Sequence, residues 1–209
     1  MTREEEDRLV ARVRNGDEDA FEKLVLENQK KVYNLALRMV GNEDDAFDMS
    51  QEAFIKAYNS ILCFRGDCRF SVWLYRLTTN VCLDFLRAQG RRSHSSLSYE
   101  DDSDDEKELE IPDERFSPET EVEKKELREA VHRGLMQLPK DYRVILLLRE
   151  IDGLSYEEIG QALDLEEGTV KSRIFRARKR LCAILAADGN ISERCASKKS
   201  RGGVKHERL

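Results

Sequence analysis

Wherever this chain shows apolar periodicity the interval is three or four residues, never two, and that spacing confines it to packed helices. Residues 18–40 carry Phe21, Leu24, Val25, Val32, Leu35, Ala36 and Met39 on one stripe, with Gly41-Asn42 as the stop. Residues 43–61 repeat the pattern through Ala46, Phe47, Ala53, Phe54, Ala57 and Tyr58. Residues 71–88 turn Leu74, Thr78, Val81, Cys82 and Phe85 inward. Helical spacing resumes over 121–138, where Leu138-Pro139 ends it, and over 140–151, closed by Asp152-Gly153. Ser155-Tyr156-Glu157-Glu158 has the form of a capping box and opens a helix through Ile159, Ala162 and Leu163. After the short connection 164–167, the stripe Val170, Ile174, Ala177, Leu181 and Leu185 defines a final helix. The expected fold class is all-α.

Charge divides this helical chain. The total of 36 basic and 42 acidic side chains nets only −6, but residues 61–95 are in excess by +4 and residues 166–209 by +7. Between them, residues 96–130 hold 15 acidic against 5 basic side chains. Two basic surfaces separated by an acidic connector can touch a polyanion twice while the connector stays off it. The run Asp101-Asp102-Ser103-Asp104-Asp105-Glu106, followed by Pro112 and Pro118, has too little apolar area to offset its ordering entropy. The expected organisation is therefore two small helical domains, residues 1–92 and 122–185, joined by a flexible acidic linker at 93–121 and followed by a basic disordered tail at 186–209.

The same composition excludes other classes. No apolar run approaches the ~18 residues of a membrane span, so no membrane insertion is expected. The acidic start, Met1-Thr2-Arg3-Glu4-Glu5-Glu6-Asp7, is unlike a secretory signal and places the chain in the cytoplasm. Five cysteines, an odd number without paired spacing, read as reduced thiols, with neither metal nor cofactor expected. A redox or metal sensor built on them is the weaker alternative. With no glycine-rich phosphate loop, nucleophile elbow or triad, the chain does not read as an enzyme.

Three surfaces carry unexplained chemistry. Asp48, Gln51 and Glu52 share a helix face by their spacing, which suits either a partner contact or a solvated surface. Trp73, Arg76, Asn80, Asp84 and Arg87 lie opposite the apolar sector of their helix. Trp, Arg and Asn can stack on bases and bond their edges, with Arg91-Arg92 left to neutralise phosphates; otherwise Trp73 caps the core edge. The preceding segment 64–70, Phe-Arg-Gly-Asp-Cys-Arg-Phe, reads as a binding loop. The third surface is the last helix, whose polar side shows Ser172, Phe175, Arg176 and Lys179, flanked by Lys171, Arg173, Arg178 and Arg180. Two short helices with a brief turn, the second basic, form a helix-turn-helix able to enter a major groove. Arg178, Lys179 and Arg180 are the expected phosphate contacts, and Phe175 can touch a thymine methyl. A free-standing regulator using only this domain is the rival reading, but it leaves the first two surfaces without a role.

Taken in order, Asp48-Met49-Ser50-Gln51-Glu52-Ala53-Phe54-Ile55-Lys56-Ala57-Tyr58, Phe64-Arg65-Gly66-Asp67, Trp73-Leu74-Tyr75-Arg76-Leu77, Asp152-Gly153-Leu154-Ser155-Tyr156-Glu157-Glu158-Ile159 and Gly168-Thr169-Val170-Lys171-Ser172-Arg173-Ile174-Phe175-Arg176-Ala177-Arg178 resemble bacterial sigma-70 family factors of the extracytoplasmic-function (ECF) group. The resemblance runs from about Asp17 to Leu185. It implies a transcription initiation factor that joins core RNA polymerase through the β and β′ subunits, with Asp48, Gln51 and Glu52 on the β′ clamp helices. It implies that Phe64, Arg65, Asp67, Trp73, Arg76, Asn80, Arg87, Arg91 and Arg92 serve at the −10 element, where a flipped base is held. It implies that Thr169, Lys171, Ser172, Arg173, Phe175, Arg176 and Lys179 read the −35 element. Promoter DNA and an anti-sigma factor are the further partners implied, the linker would follow the RNA path, and the setting would be a stress response.

Overall fold

The computed structural model describes residues 1–95 and 118–187, with side chains described for 1–91 and 125–187. Eight helices succeed one another there: α1 (Arg3–Arg14), α2 (Glu18–Val40), α3 (Glu43–Ser60), α4 (Phe70–Ser95), α5 (Pro118–Met136), α6 (Lys140–Leu146), α7 (Tyr156–Leu163) and α8 (Glu167–Ala187). A 3-10 turn, Ile61–Cys63, follows α3, and a π turn, Leu147–Ile151, follows α6. No strand occurs among the described residues. The expected linker and tail fall largely outside them; α4 continues to Ser95 and α5 already begins at Pro118.

Local chemistry sets most of these boundaries. Thr2 and Glu5 make a reciprocal capping box on α1, Asp17 accepts from the Ala20 N–H at 3.1 Å to start α2, and Asn42 accepts from Asp45 at 3.0 Å to start α3. Asp17 also holds Arg12 at 2.7 Å across the α1–α2 turn. Gly41 ends α2 in the left-handed region, φ 85°. The expected box at Ser155 is present, with Ser155 N–H donating to Glu158 at 2.8 Å and Glu158 N–H to Ser155 Oγ at 3.1 Å.

Two apolar clusters hold the helices. One lies inside the amino-terminal unit, where Val10 and Val13 of α1 meet Leu24, Ala53, Ala57, Ile61, Phe64, Phe70 and Leu74. The other spans both units: Leu35 and Met39 of α2 and Val72, Tyr75 and Cys82 of α4 are continuous with Leu135, Val144, Leu148, Ile159, Val170 and Ile174. The two domains therefore pack directly on each other, α7 lying on α4.

Arg143 ties this junction. Its Nε donates to Leu135 O at 3.0 Å, one terminal nitrogen to Met39 O at 2.7 Å and the other to Met136 O at 2.5 Å. These carbonyls lie at the carboxyl ends of α5 and α2, where a cation satisfies groups that have no helical partner. Lys140 Nζ similarly donates to Leu86 O at 2.6 Å, and Tyr75 Oη donates to Asp152 Oδ1 at 3.3 Å.

Candidate nucleic-acid and polymerase interfaces

Helix α3 buries Ala46, Met49, Ser50, Ala53 and Ala57 against α2 and α4. The expected stripe is thus corrected at two places. Phe47 is 55% exposed and Tyr58 also faces outward, its ring edge-on to Phe21 at 4.9 Å. Small Ala residues bring α2 and α4 close on the 46/49/50/53/57 side, which leaves no room there for two aromatic rings. The outward face then combines Asp48, Gln51 and Glu52 with Phe47 and the 59% exposed Ile55. Among the described residues Glu52 is paired with Lys56 alone, at 2.7 Å within the same exposed turn. An acidic face with apolar residues beside it suits a protein partner better than water alone, since apolar groups mark association surfaces.

The segment between α3 and α4 is shaped from inside. Phe64 is 4% exposed and packs with Phe70 (6.2 Å between ring centres) and Trp73 (5.0 Å). Its ring is therefore the loop's anchor, while Arg65 and Asp67 stand in solvent. Trp73 is half-buried on that aromatic cluster, so one part of the indole caps the core edge and the rest stays available. Arg76, Asn80, Arg87 and Arg91 continue from it along the exposed side of α4, Arg87 sharing a 2.9 Å pair with Asp84. Arg92 lies in α4, and its side chain is outside the described ones. Val72, Tyr75 and Thr79 are buried as well, because α7 covers a side of α4 that a single domain would leave open.

In the carboxyl-terminal unit, α7 and α8 form the helix-turn-helix. Asp164 takes the left-handed conformation at φ 56°, and a Cβ on Gly160 would stand 2.6 Å from Leu165 O, so the turn needs glycine there. Val170, Ile174, Ala177 and Leu185 are buried, and Leu181 is partly so. Opposite them Lys171, Ser172, Arg176 and Lys179 are exposed, and Phe175 is 70% exposed; Thr169 and Arg173 are half-buried at the edges. Lys171 pairs with Glu167 at 2.6 Å beside the Tyr156 ring, an exposed contact weak enough for a phosphate to replace. Arg178, expected on phosphate, makes a similarly exposed pair with Glu150 of the π turn, Nε donating at 2.9 Å.

Two buried ionisable groups, one of them at the junction, were not among the expected site residues. Burial raises the Asp152 carboxyl to about 6, although Arg38, the Tyr75 hydroxyl and Lys31 favour its charged form. Its Oδ2 is buried without a hydrogen-bond partner among the described residues. Glu6 is buried too, in register with Val10 and Val13, and that register was the available signal: a carboxylate on an apolar stripe needs a partner.

Known families match both units. Residues 24–92 match the model described as Sigma-70 region 2, and residues 128–181 match Sigma-70, region 4. The chain is 44% identical over 180 residues to the RNA polymerase sigma-H factor of Pseudomonas aeruginosa, covering 86% of this chain and 93% of that one. It is 46% identical over 171 residues to the ECF RNA polymerase sigma-E factor of Escherichia coli, covering 82% and 89%. Among solved structures, the sigma factor RpoE of Bartonella quintana, determined with the anti-sigma factor NepR, is similar at 25% identity and TM-score 0.61, over 80% of this chain and 98% of that one. The chain belongs to the sigma-70 family, in its extracytoplasmic-function group, and is a sigma factor of transcription initiation. No helix among the described residues is long and apolar enough to cross a membrane.

Proposed function

We propose that this chain joins core RNA polymerase through its β and β′ subunits, the α3 face with Asp48, Gln51 and Glu52 meeting β′. Helix α8 enters the major groove of the −35 element with Ser172, Phe175, Arg176 and Lys179 leading and Thr169, Lys171 and Arg173 at its edges. The loop 64–70 and the Trp73, Arg76, Asn80 side of α4 receive the −10 element, with Arg87, Arg91 and Arg92 on its phosphates. Unstacking a base costs a few kcal/mol, and a protein surface that receives the freed base recovers part of that cost and so drives opening. The polymerase does the chemistry; this chain is not a catalyst, and it works in the bacterial cytoplasm. An anti-sigma protein is the regulatory partner, by analogy with the Bartonella quintana factor determined with NepR.

The observation that supports this most is the pairing of two different nucleic-acid surfaces in one chain. A groove-reading helix alone suits any duplex regulator, whereas a half-buried indole beside Arg76 and Asn80 suits unpaired bases. The packing of the two units adds a requirement. Packed helix axes lie about 8–10 Å apart, so α8, reached from α4 through α7, is within roughly 20 Å of it. Promoter elements about one and a half turns apart are roughly 50 Å distant, at about 34 Å per turn. Reading both at once requires the Arg143 and Tyr75–Asp152 junction to part.

Footprinting tests the reading. With core polymerase and the chain together, protection is expected at both elements, with permanganate-reactive thymines at the −10 element only. Protection at a single duplex site, equally strong without polymerase, would favour the free-standing regulator.

A further inference from the structure

Helix α1 lies outside the region 2 match, which begins at residue 24, and none of the roles above uses it. Its Glu6 is nevertheless only 2% exposed. Glu6 Oε1 accepts from Nη2 of Arg69 at 3.1 Å, and Oε2 lies 3.5 Å from both the backbone nitrogen and the Oγ of Ser71. Arg69 belongs to the loop 64–70 and Ser71 to the first turn of α4. The carboxylate thus sits at the amino end of α4, where unbonded N–H groups and the helix dipole favour negative charge.

Burying a carboxylate is costly unless it is paired, so this placement needs a compensating role. The same face of α1 supplies one at the other end of the loop. Val10 and Val13, one and two turns beyond Glu6, belong to the cluster that contains Ile61 and Phe64. Between these two attachments, α1 and the loop leave a small cleft of about 210 Å³ lined by Asp7, Val10, Ala11, Arg14, Phe64 and Gly66. The loop at Gly66, between the two attachments, is therefore not held by close packing on α1. Arg69 Nε is buried without a hydrogen-bond partner among the described residues, which leaves the Glu6 contact as the bond fixing its guanidinium.

We propose that Glu6 is a positioning residue for −10 recognition, and that α1 is a clasp which holds the loop at both ends. Exposed Arg65 and Asp67 are then presented in one arrangement, and less entropy is lost when the unpaired strand binds. The proposal rests on the −10 role of the loop given above.

The test uses the full chain with core polymerase, comparing Glu6→Gln, Arg69→Ala and the double variant. The probes are a duplex promoter, the same promoter unpaired in advance at its −10 element, and both with one −10 base changed. Loss of one charge-assisted hydrogen bond predicts a fall of at least about tenfold in transcription from the duplex promoter. Discrimination against the changed base should fall as well, even on the unpaired template, while polymerase affinity stays unchanged. The double variant should be no worse than the worse single one, because the pair acts as a unit. Loss of polymerase affinity and thermal stability together, with discrimination intact, would make Glu6 merely structural and overturn the proposal. Asp67→Ala and Trp73→Ala separate the two levels: discrimination retained in these would overturn the −10 reading itself, and the clasp with it. Discrimination lost in them but kept in Glu6→Gln would overturn the clasp alone.

Discussion

Single residues at the duplex interface make the sharpest predictions. Arg176 is exposed on α8 and has no ion pair among the described side chains, unlike Lys171 and Arg178. If it reads a base, Arg176→Ala costs about 1–3 kcal/mol at the −35 element and relaxes the preference at one position. If it meets phosphate, binding weakens evenly across sequences and the salt dependence becomes shallower. Titration of the holoenzyme against a panel of altered −35 sites distinguishes these results, and unchanged affinity on every site would remove Arg176 from the interface. Residue-level reading of the sequence succeeded on α8, since a narrow apolar stripe fixes which side chains face out. It was weaker on α3. Phe47 and Tyr58 satisfy helical spacing as well as Met49 does, and only the close approach of α2 through small alanines selects Met49.

At the scale of elements, the helix-turn-helix depends on short pieces that have little stability alone. Helix α7 has eight residues, below the length at which isolated helices persist, so its cap and its packing must hold it. Ser155→Ala removes the side-chain acceptor for the Glu158 N–H and should lower stability by about 1 kcal/mol, read as a shift in the urea midpoint with little change in slope. Far-ultraviolet circular dichroism at low denaturant should remain that of a fully helical chain; a midpoint equal to wild type would show that packing alone sets the start of α7. Elements were the most legible level of the sequence. The capping box at Ser155 and the stop at Gly41-Asn42 are local, and the helix limits followed them within a few residues, whereas the caps at Asp17 and Asn42 emerged only with the structure. The π turn after α6 was not legible, because its bond from Asp152 N–H to Leu147 O, 3.1 Å, differs from an α-helical one by a single residue of register.

At the scale of the molecule, the direct packing of the two units was invisible in the sequence. Arg143 reaches a carbonyl 104 positions away, and no local pattern marks either partner. Asp152 makes this packing sensitive to pH. Its carboxyl is raised to about 6 by burial, so the packed state holds the proton more tightly than a solvent-exposed carboxyl at 3.8 does. Stability of the junction is therefore fullest below about pH 4 and declines as pH rises through 6, by about 3 kcal/mol at most. Asp152→Asn should raise the thermal midpoint at pH 8 and leave little difference from wild type near pH 4; an equal effect at both values would assign the change to something other than charge. On the proposed function, this junction must open for the two DNA readers to reach elements some 50 Å apart. One chain, on the proposed function, supplies polymerase with both promoter elements. Transcription in vitro with core polymerase, the purified chain and a pool of promoter fragments, followed by sequencing of RNA 5′ ends, tests it most directly. Chain-dependent starts sharing two upstream motifs about one and a half helical turns apart are the predicted result, whereas absence of chain-dependent starts, with duplex binding retained in the absence of polymerase, would contradict it.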